Sequence, residues 1–315
     1  MATMKAVRIH EYGGPEVLRL EDAPIPVPAA GEVLIRVHAA GINPVDWKIR
    51  EGRLRGRVEH HLPLVLGWDV AGVIEALGPG VTLFKIGDAV YARPDIARDG
   101  GYAEYIAVRA SEVALKPKSL DFIHAAAVPL AGLTAWQALF DAAKLAAGQS
   151  ILIHAGAGGV GSHAVQFAHW KGARVIATAS ARNTDLVRSL GADQVIDYTQ
   201  VRFEDETRDL DVVFDTVGEE VQQRSWKVLK KGGILVSILA LAVPDDAAAR
   251  GLRSAYVFVQ PNAAQLGQIA ELIDGGHVKP VVETVLPLSE VRRAHELSQS
   301  RHARGKIVLR VADYS

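Results

Sequence analysis

The hydrophobic period of the chain changes once within about twenty residues, and that change constrains the fold more than any other feature. Residues 150–155 (SILIHA) are a short aliphatic run of strand character. Residues 156–161 read GAGGVG, and Val160, Ala164, Val165 and Ala168 then recur at helical spacing up to Trp170. A strand, a glycine turn and a helix in this order make a dinucleotide-binding fingerprint, G-x-G-x-x-G. Gly156 is expected to permit the tight turn, Gly158 to let the backbone approach a pyrophosphate, and Gly161 to let the helix lie close on the strand. The N–H groups of Gly159 and Val160, free at the helix start, then face the phosphate.

The downstream sequence has the texture such a unit needs. Runs at 174–179 (RVIATA), 194–198 (QVIDY), 212–217 (VVFDTV) and 233–239 (GILVSIL) read as buried strands with helical stretches between several of them, and 255–259 (AYVFV) as a sixth strand. This alternation predicts an α/β Rossmann fold, a doubly wound parallel sheet with its ligand at the carboxyl ends of the strands. Residues 1–120 are different: short strands such as KAVRIH and EVLIRVHA are broken by proline and glycine turns, which predicts a small, mostly antiparallel β-rich domain. Helical sequence capped by Asp121 runs to Gly148 and leads into the nucleotide domain. Strand, helix and strand at 281–286, 289–300 and 306–311 return to the first texture. The expected organisation is therefore 1–120 with 281–315 as one domain and 121–280 as the other, and a chain of 315 residues is long enough for both.

Composition removes several function classes. The formal net charge is −1 with scattered basic residues, so no nucleic-acid partner is expected. With no cysteine, disulfides, thiolate zinc sites and cysteine nucleophiles are excluded together. The most apolar stretch, 234–243, is about half the ~20 residues needed to span a bilayer, so no membrane partner is expected. The first ten residues lack the apolar core of a signal peptide, which makes a cytoplasmic location the expectation.

A β-rich domain with a Rossmann domain inserted before its tail resembles the medium-chain dehydrogenase/reductase superfamily. Local matches at 41–48 (GINPVDWK), 67–72 (GWDVAG), 155–161 (AGAGGVG) and 305–309 (GKIVL) resemble its zinc-independent quinone oxidoreductase branch. The resemblance implies that the β-rich domain is GroES-like. It also implies that Asn43 and Trp68 stand where zinc-dependent relatives carry a cysteine and a histidine ligand, so no metal is expected. Further cofactor contacts are implied from Tyr198, Ile238, Phe258, Val259 and Gln260, and from Gly305 and Lys306 in the tail.

An NAD-binding unit carries an Asp or Glu at the end of the second strand, to bond the ribose hydroxyls. Here that strand ends in Ser180, Ala181, Arg182 and Asn183, with no carboxylate before Asp185. Arg182 can pair with a 2′-phosphate, and Ser180 and Asn183 can donate to it, so NADPH is the expected cofactor. The same polar residues could also serve only as a helix cap.

Without a Lewis acid, hydride donation to an already electrophilic acceptor is the easier chemistry. The substrate expected from the resemblance is a small quinone or α,β-unsaturated carbonyl. Asn43 and Lys48 are the polar residues placed near the resulting anion, with Lys48 equally able to hold the nicotinamide ribose. Asp46 is expected to be a structural acceptor near Asn43. The rival is a non-catalytic NADPH-binding protein with a macromolecular partner, as zeta-crystallin relatives suggest. The apolar strand at 255–259, read as a late strand of the sheet, predicts a homodimer paired edge to edge.

Overall fold

The computed structural model describes residues 2–244, 246–300 and 303–311. The chain divides into two compact units, one of Met1–Leu130, Gln260–Gly276 and Pro280–Ser315, the other of Ala131–Val259 and His277–Lys279.

The first unit is built on a 7-stranded sheet and a 3-stranded sheet. In the larger sheet the central strand Glu32–Gly41 pairs antiparallel with Val70–Leu77, with Tyr105–Arg109 and with Lys306–Arg310. Among the described residues, only the pair Val282–Pro287 and Lys306–Arg310 runs parallel there. Val33, Ile35, Val37, Val70, Ile74 and Val90 are completely buried in one core, the inward half of the period-2 alternation. The helix Ala263–Asp274 belongs to this unit, although the sequence reading grouped it with the nucleotide domain. It is held by Tyr91, whose hydroxyl donates to Leu266 O at 2.6 Å, and by Asp274, whose carboxylate accepts from Ser119.

The second unit is the predicted parallel sheet. Its spatial order is Gln194–Asp197, Arg174–Ala179, Ser150–Ile153, Leu210–Asp215, Leu229–Ser237 and Arg253–Tyr256. By rank in the chain this is 3-2-1-4-5-6, the doubly wound order. All five neighbouring pairs are parallel. The last strand lies earlier than its apolar run suggested. It spans Arg253–Tyr256, and after Val257 donates to Ser237 O at 2.9 Å no further strand is formed before Pro261. Within the helical sequence expected from Asp121 to Gly148, an α-helix Pro129–Trp136 is continued by a π-helical turn Gln137–Ala142. Among the described residues no helix is long and apolar enough to cross a membrane.

Candidate active site

In the second unit the predicted cofactor residues gather on one rim. Gly156–Gly161 follow the strand Ser150–Ile153, and Ser180, Arg182 and Asn183 follow Arg174–Ala179. Tyr198 follows Gln194–Asp197, Ile238 follows Leu229–Ser237, and Phe258 and Val259 come just past Arg253–Tyr256. Because these strands are parallel, all of these positions lie at carboxyl ends. Adjacent rim segments are tied together: Gly156 N–H donates to Thr178 O at 2.9 Å, and Tyr198 N–H to Ala179 O at 3.2 Å.

The fingerprint glycines divide their roles differently from the expectation. The left-handed residue of the turn is Ala155, at φ 51°, and Gly156 is not among the positive-φ positions. Gly156 is needed for space, since a Cβ there would stand 2.9 Å from Ala177 Cβ. Gly161 has the tightest requirement: a Cβ would meet Ala155 O at 2.1 Å, which is the close helix-to-strand approach the motif predicts. At Gly158 a Cβ would meet only Ala155 O, at 3.3 Å, so its outward side is open. The helix Gly159–Trp170 starts there with no side-chain cap.

Sequence reasoning missed the residue beneath this turn. His154 is 1% exposed; one ring nitrogen lies 3.2 Å from Thr178 Oγ1 and the other 2.8 Å from Ser225 Oγ. Ser225 gives its own proton to Val221 O, so it accepts from the imidazole, and Thr178 donates to the other nitrogen. Thr178 Oγ1 in turn accepts the Ala155 N–H at 3.1 Å, so the ring anchors the turn at its left-handed residue. Burial pushes the His154 pKa down to about 4, which keeps it neutral. Its signal was only a histidine at the end of a buried strand.

On the next rim turn, Ala181–Asn183, Asn183 Nδ2 donates to Ser180 Oγ at 3.2 Å and Arg182 is exposed. Asp185, the first carboxylate after the strand, lies on the following helix and pairs with Arg188 at 3.7 Å.

In the first unit the motifs at 41–48, 67–72 and 305–309 converge. Asn43 caps the helix Pro44–Arg50, whose Asp46 accepts the Asn43 backbone N–H at 2.7 Å in a capping box. Asn43 Nδ2 donates to Asp69 Oδ2 at 2.8 Å while its Oδ1 accepts from Lys306, which fixes the amide in one orientation. The Lys306 ammonium also donates to Ile42 O at 2.9 Å and to Asp69 Oδ2 at 2.8 Å, so its three protons are all used. Asp69 Oδ1 accepts from the Leu130 N–H at 2.5 Å. Asp46 Oδ2 further accepts from the Tyr102 hydroxyl at 2.6 Å, and its Oδ1 is buried without a partner. Burial is the main cause that raises the Asp46 pKa to about 7. Lys48 is half-buried, with its ammonium 5.6 Å from the Trp47 ring centroid. Trp68 is completely buried and donates to Arg98 O at 3.1 Å, so it is a packing residue. Gly305 is left-handed at φ 63° and sets the start of the strand that carries Lys306. Gln260 lies in this unit and is exposed. Among the described residues no group of three or more metal-ligating side chains is present.

Comparison with known proteins agrees with both halves of this description. Residues 29–118 match the family described as "Alcohol dehydrogenase GroES-like domain", and residues 190–309 that described as "Zinc-binding dehydrogenase". The chain is 42% identical over 317 residues to the NADPH-dependent alkenal/one oxidoreductase, chloroplastic, of Arabidopsis thaliana, covering 97% of this chain and 79% of that one. It is 34% identical over 324 residues to the quinone oxidoreductase of Sus scrofa, covering 97% of each. Among solved structures, the quinone oxidoreductase from Coxiella burnetii superimposes with a TM-score of 0.90 at 36% identity, over 99% of this chain and 100% of the other. With its glycine fingerprint, its GroES-like unit and relatives along nearly its whole length, the chain belongs to the medium-chain dehydrogenase/reductase superfamily, in its quinone oxidoreductase branch.

Proposed function

We propose that this chain is an NADPH-dependent oxidoreductase that transfers hydride to a quinone or an α,β-unsaturated carbonyl, without zinc. The observation that carries the reading is the rim of the parallel sheet, where an open glycine turn and a carboxylate-free turn bearing Arg182 follow adjacent strands. The relatives named for NADPH-dependent alkenal/one and quinone reduction support it.

In this reading the second unit is the dinucleotide domain and the first unit carries the acceptor chemistry. The N–H groups of Gly159, Val160 and Gly161 hold the pyrophosphate, Gly158, whose own N–H donates to Ala155 O at 2.9 Å, leaves room for it, and Arg182, Ser180 and Asn183 hold the 2′-phosphate. Tyr198, Ile238, Phe258, Val259 and Gln260 line the rest, and Lys48 holds the nicotinamide ribose. Lys306 was expected beside the cofactor together with Gly305. Its ammonium is saturated by Ile42, Asn43 and Asp69, so we assign it to positioning Asn43. The cofactor, when bound, supplies the hydride. Asn43 has given one amide proton to Asp69 and keeps a second for the acceptor oxygen.

The family description that mentions zinc does not fit these side chains. Around the position of the would-be ligands stand three oxygens that already enclose an ammonium, with no thiolate or imidazole among them. Assembly as a homodimer completes the proposal, supported by the edge strand Arg253–Tyr256, whose residues are half-buried to exposed.

NADPH consumption measured against a panel of quinones and enones tests the reading. Turnover with at least one acceptor, and tighter binding of NADPH than NADH, is the expected result. Arg182→Ala should narrow that preference by weakening NADPH alone. Binding without turnover on any member would favour the non-catalytic alternative.

A further inference from the structure

Arg93 is 2% exposed, yet no hydrogen bond or ion pair holds its guanidinium among the described residues, and its Nε is buried without a partner. A buried guanidinium ordinarily pairs, because its five donors lose their water on burial. The carboxylates around it are Asp69, Asp95, Glu112 and Asp46, all of which favour its charge. Each is engaged elsewhere. Asp69 is taken by Lys306, Asn43 and Leu130 N–H, and Asp95 and Glu112 are taken by Arg109 at 3.1 Å each. Asp46 Oδ2 is taken by Tyr102 and the Asn43 N–H, and its Oδ1 makes no hydrogen bond to the guanidinium. Burial lowers the Arg93 pKa to about 10, which leaves it a cation at neutral pH.

The backbone places this cation at the candidate site. Val70 pairs with Ala92 on one side and with Ala40 on the other. Continuing that register by one residue sets Arg93 opposite Asp69 and Asp69 opposite Gly41, whose N–H donates to Asp69 O at 3.0 Å. Directly opposed residues in antiparallel strands send their side chains to the same face. Arg93 therefore shares a face with Asp69, whose carboxylate holds Asn43 and Lys306. Asp95 and Glu112, which act on Arg93, also line an open surface groove of about 620 Å³ with Gln260 and Asn262.

We propose that Arg93 is a second oxyanion-binding residue of the reduction, its guanidinium receiving the carbonyl oxygen of the acceptor together with the Asn43 amide. This deepens the reading above and rests on it. The acceptor gains hydride at its β-carbon, the C=C electron pair moves toward the carbonyl, and negative charge collects on the oxygen. A proton from solvent at the α-carbon completes the two-electron reduction, with NADPH oxidised to NADP⁺. A quinone accepts hydride at a ring carbon in the same way, and the resulting anion, in place of protonation at carbon, loses that carbon's proton to solvent and regains one on oxygen, which gives the hydroquinone anion. A preorganised, dry guanidinium stabilises that charge more than water does.

The probe is cyclohexane-1,3-dione, which is ionised at neutral pH and resembles the enolate. Its dissociation constant is measured by calorimetry on the full-length protein with NADP⁺ present, without turnover. The wild type is expected to bind the anion in competition with the acceptor, and to lose affinity as acid neutralises the diketone. Arg93→Gln should weaken this binding by about tenfold or more and lower kcat by roughly a hundredfold, with NADPH affinity unchanged. Arg93→Lys, which keeps the charge, should retain part of both. Loss of NADPH affinity with anion binding intact would overturn the proposal by assigning Arg93 to the cofactor. Unchanged anion binding in Arg93→Gln would overturn it as well. Should that variant not fold, wild-type affinity indifferent to diketone ionisation rejects the proposal by itself. Failure of the wild type on the whole acceptor panel is a separate result, which bears on the proposed function.

Discussion

The ammonium of Lys306 lies 2.8 Å from Asp69 Oδ2, with side-chain exposures of 4% and 0%. A pair so dry has traded its hydration for mutual attraction, and removing one member strands the other. Lys306→Met should therefore destabilise the protein by about 3–5 kcal/mol. Replacing both partners, as Lys306→Met with Asp69→Asn, should cost less than the lysine change alone. Urea unfolding of the three proteins gives the comparison, read as midpoints at constant m-value.

Asp46 gives a pH signature. Its folded pKa is raised to about 7 from an ordinary 3.8, so the native chain holds that proton more tightly than the unfolded chain. The stabilisation is fully present below the ordinary value and is lost as pH rises through the folded one. Relative to Asp46→Asn, the wild type should lose roughly 1.4 kcal/mol per pH unit across that window and level off above it. The charged and titrating groups facing Asp46 are Tyr102, Lys306, Asp69 and Arg93, and all remain in the variant. Parallel stability curves for the two proteins would contradict the assignment.

The second and third glycines of the fingerprint should fail differently. A methyl at Gly161 would overlap Ala155 O at 2.1 Å, backbone against backbone, so Gly161→Ala should lose about 1–3 kcal/mol of stability. A methyl at Gly158 has only Ala155 O within reach, at 3.3 Å, and points into the space assigned to the pyrophosphate. Gly158→Ala should keep its melting temperature and bind NADPH more weakly. Thermal melts beside a fluorescence titration separate the two effects.

Much of this was legible in the sequence. The period change at the glycines predicted the strand, turn and helix, and the aliphatic runs predicted a parallel sheet with the candidate cofactor residues on one rim. What stayed hidden depends on distant partners or local geometry. Asn43, Asp69 and Lys306 are joined across sequence separations of 26 and 237 residues, which no local pattern announces. The burial of Arg93 is fixed by strand register. That Ala155 takes the left-handed turn could not be read from a motif that credits its glycines. The run AYVFV misplaced the edge strand because its apolar character continues beyond the last ladder bond, at Val257.

That edge carries the assembly prediction. Val257 N–H turns inward to Ser237 O, so by alternation Ser254 directs its N–H outward. Ser254→Pro removes an outward donor and leaves the inner ladder intact. Light scattering should show the wild type at twice the chain mass and this variant shifted toward a single chain. A wild type at one chain mass would reject the dimer.

The central claim is hydride transfer to a conjugated carbon, and isotope tracing tests it most directly. The protein is incubated with NADPH deuterated at the transferable C4 position and an open-chain enone in ordinary water, and the product is examined by NMR. The account predicts a saturated ketone with one deuterium at the β-carbon and a solvent proton at the α-carbon. Unreduced enone in the presence of bound NADPH, or deuterium at the carbonyl carbon of an allylic alcohol, would contradict it.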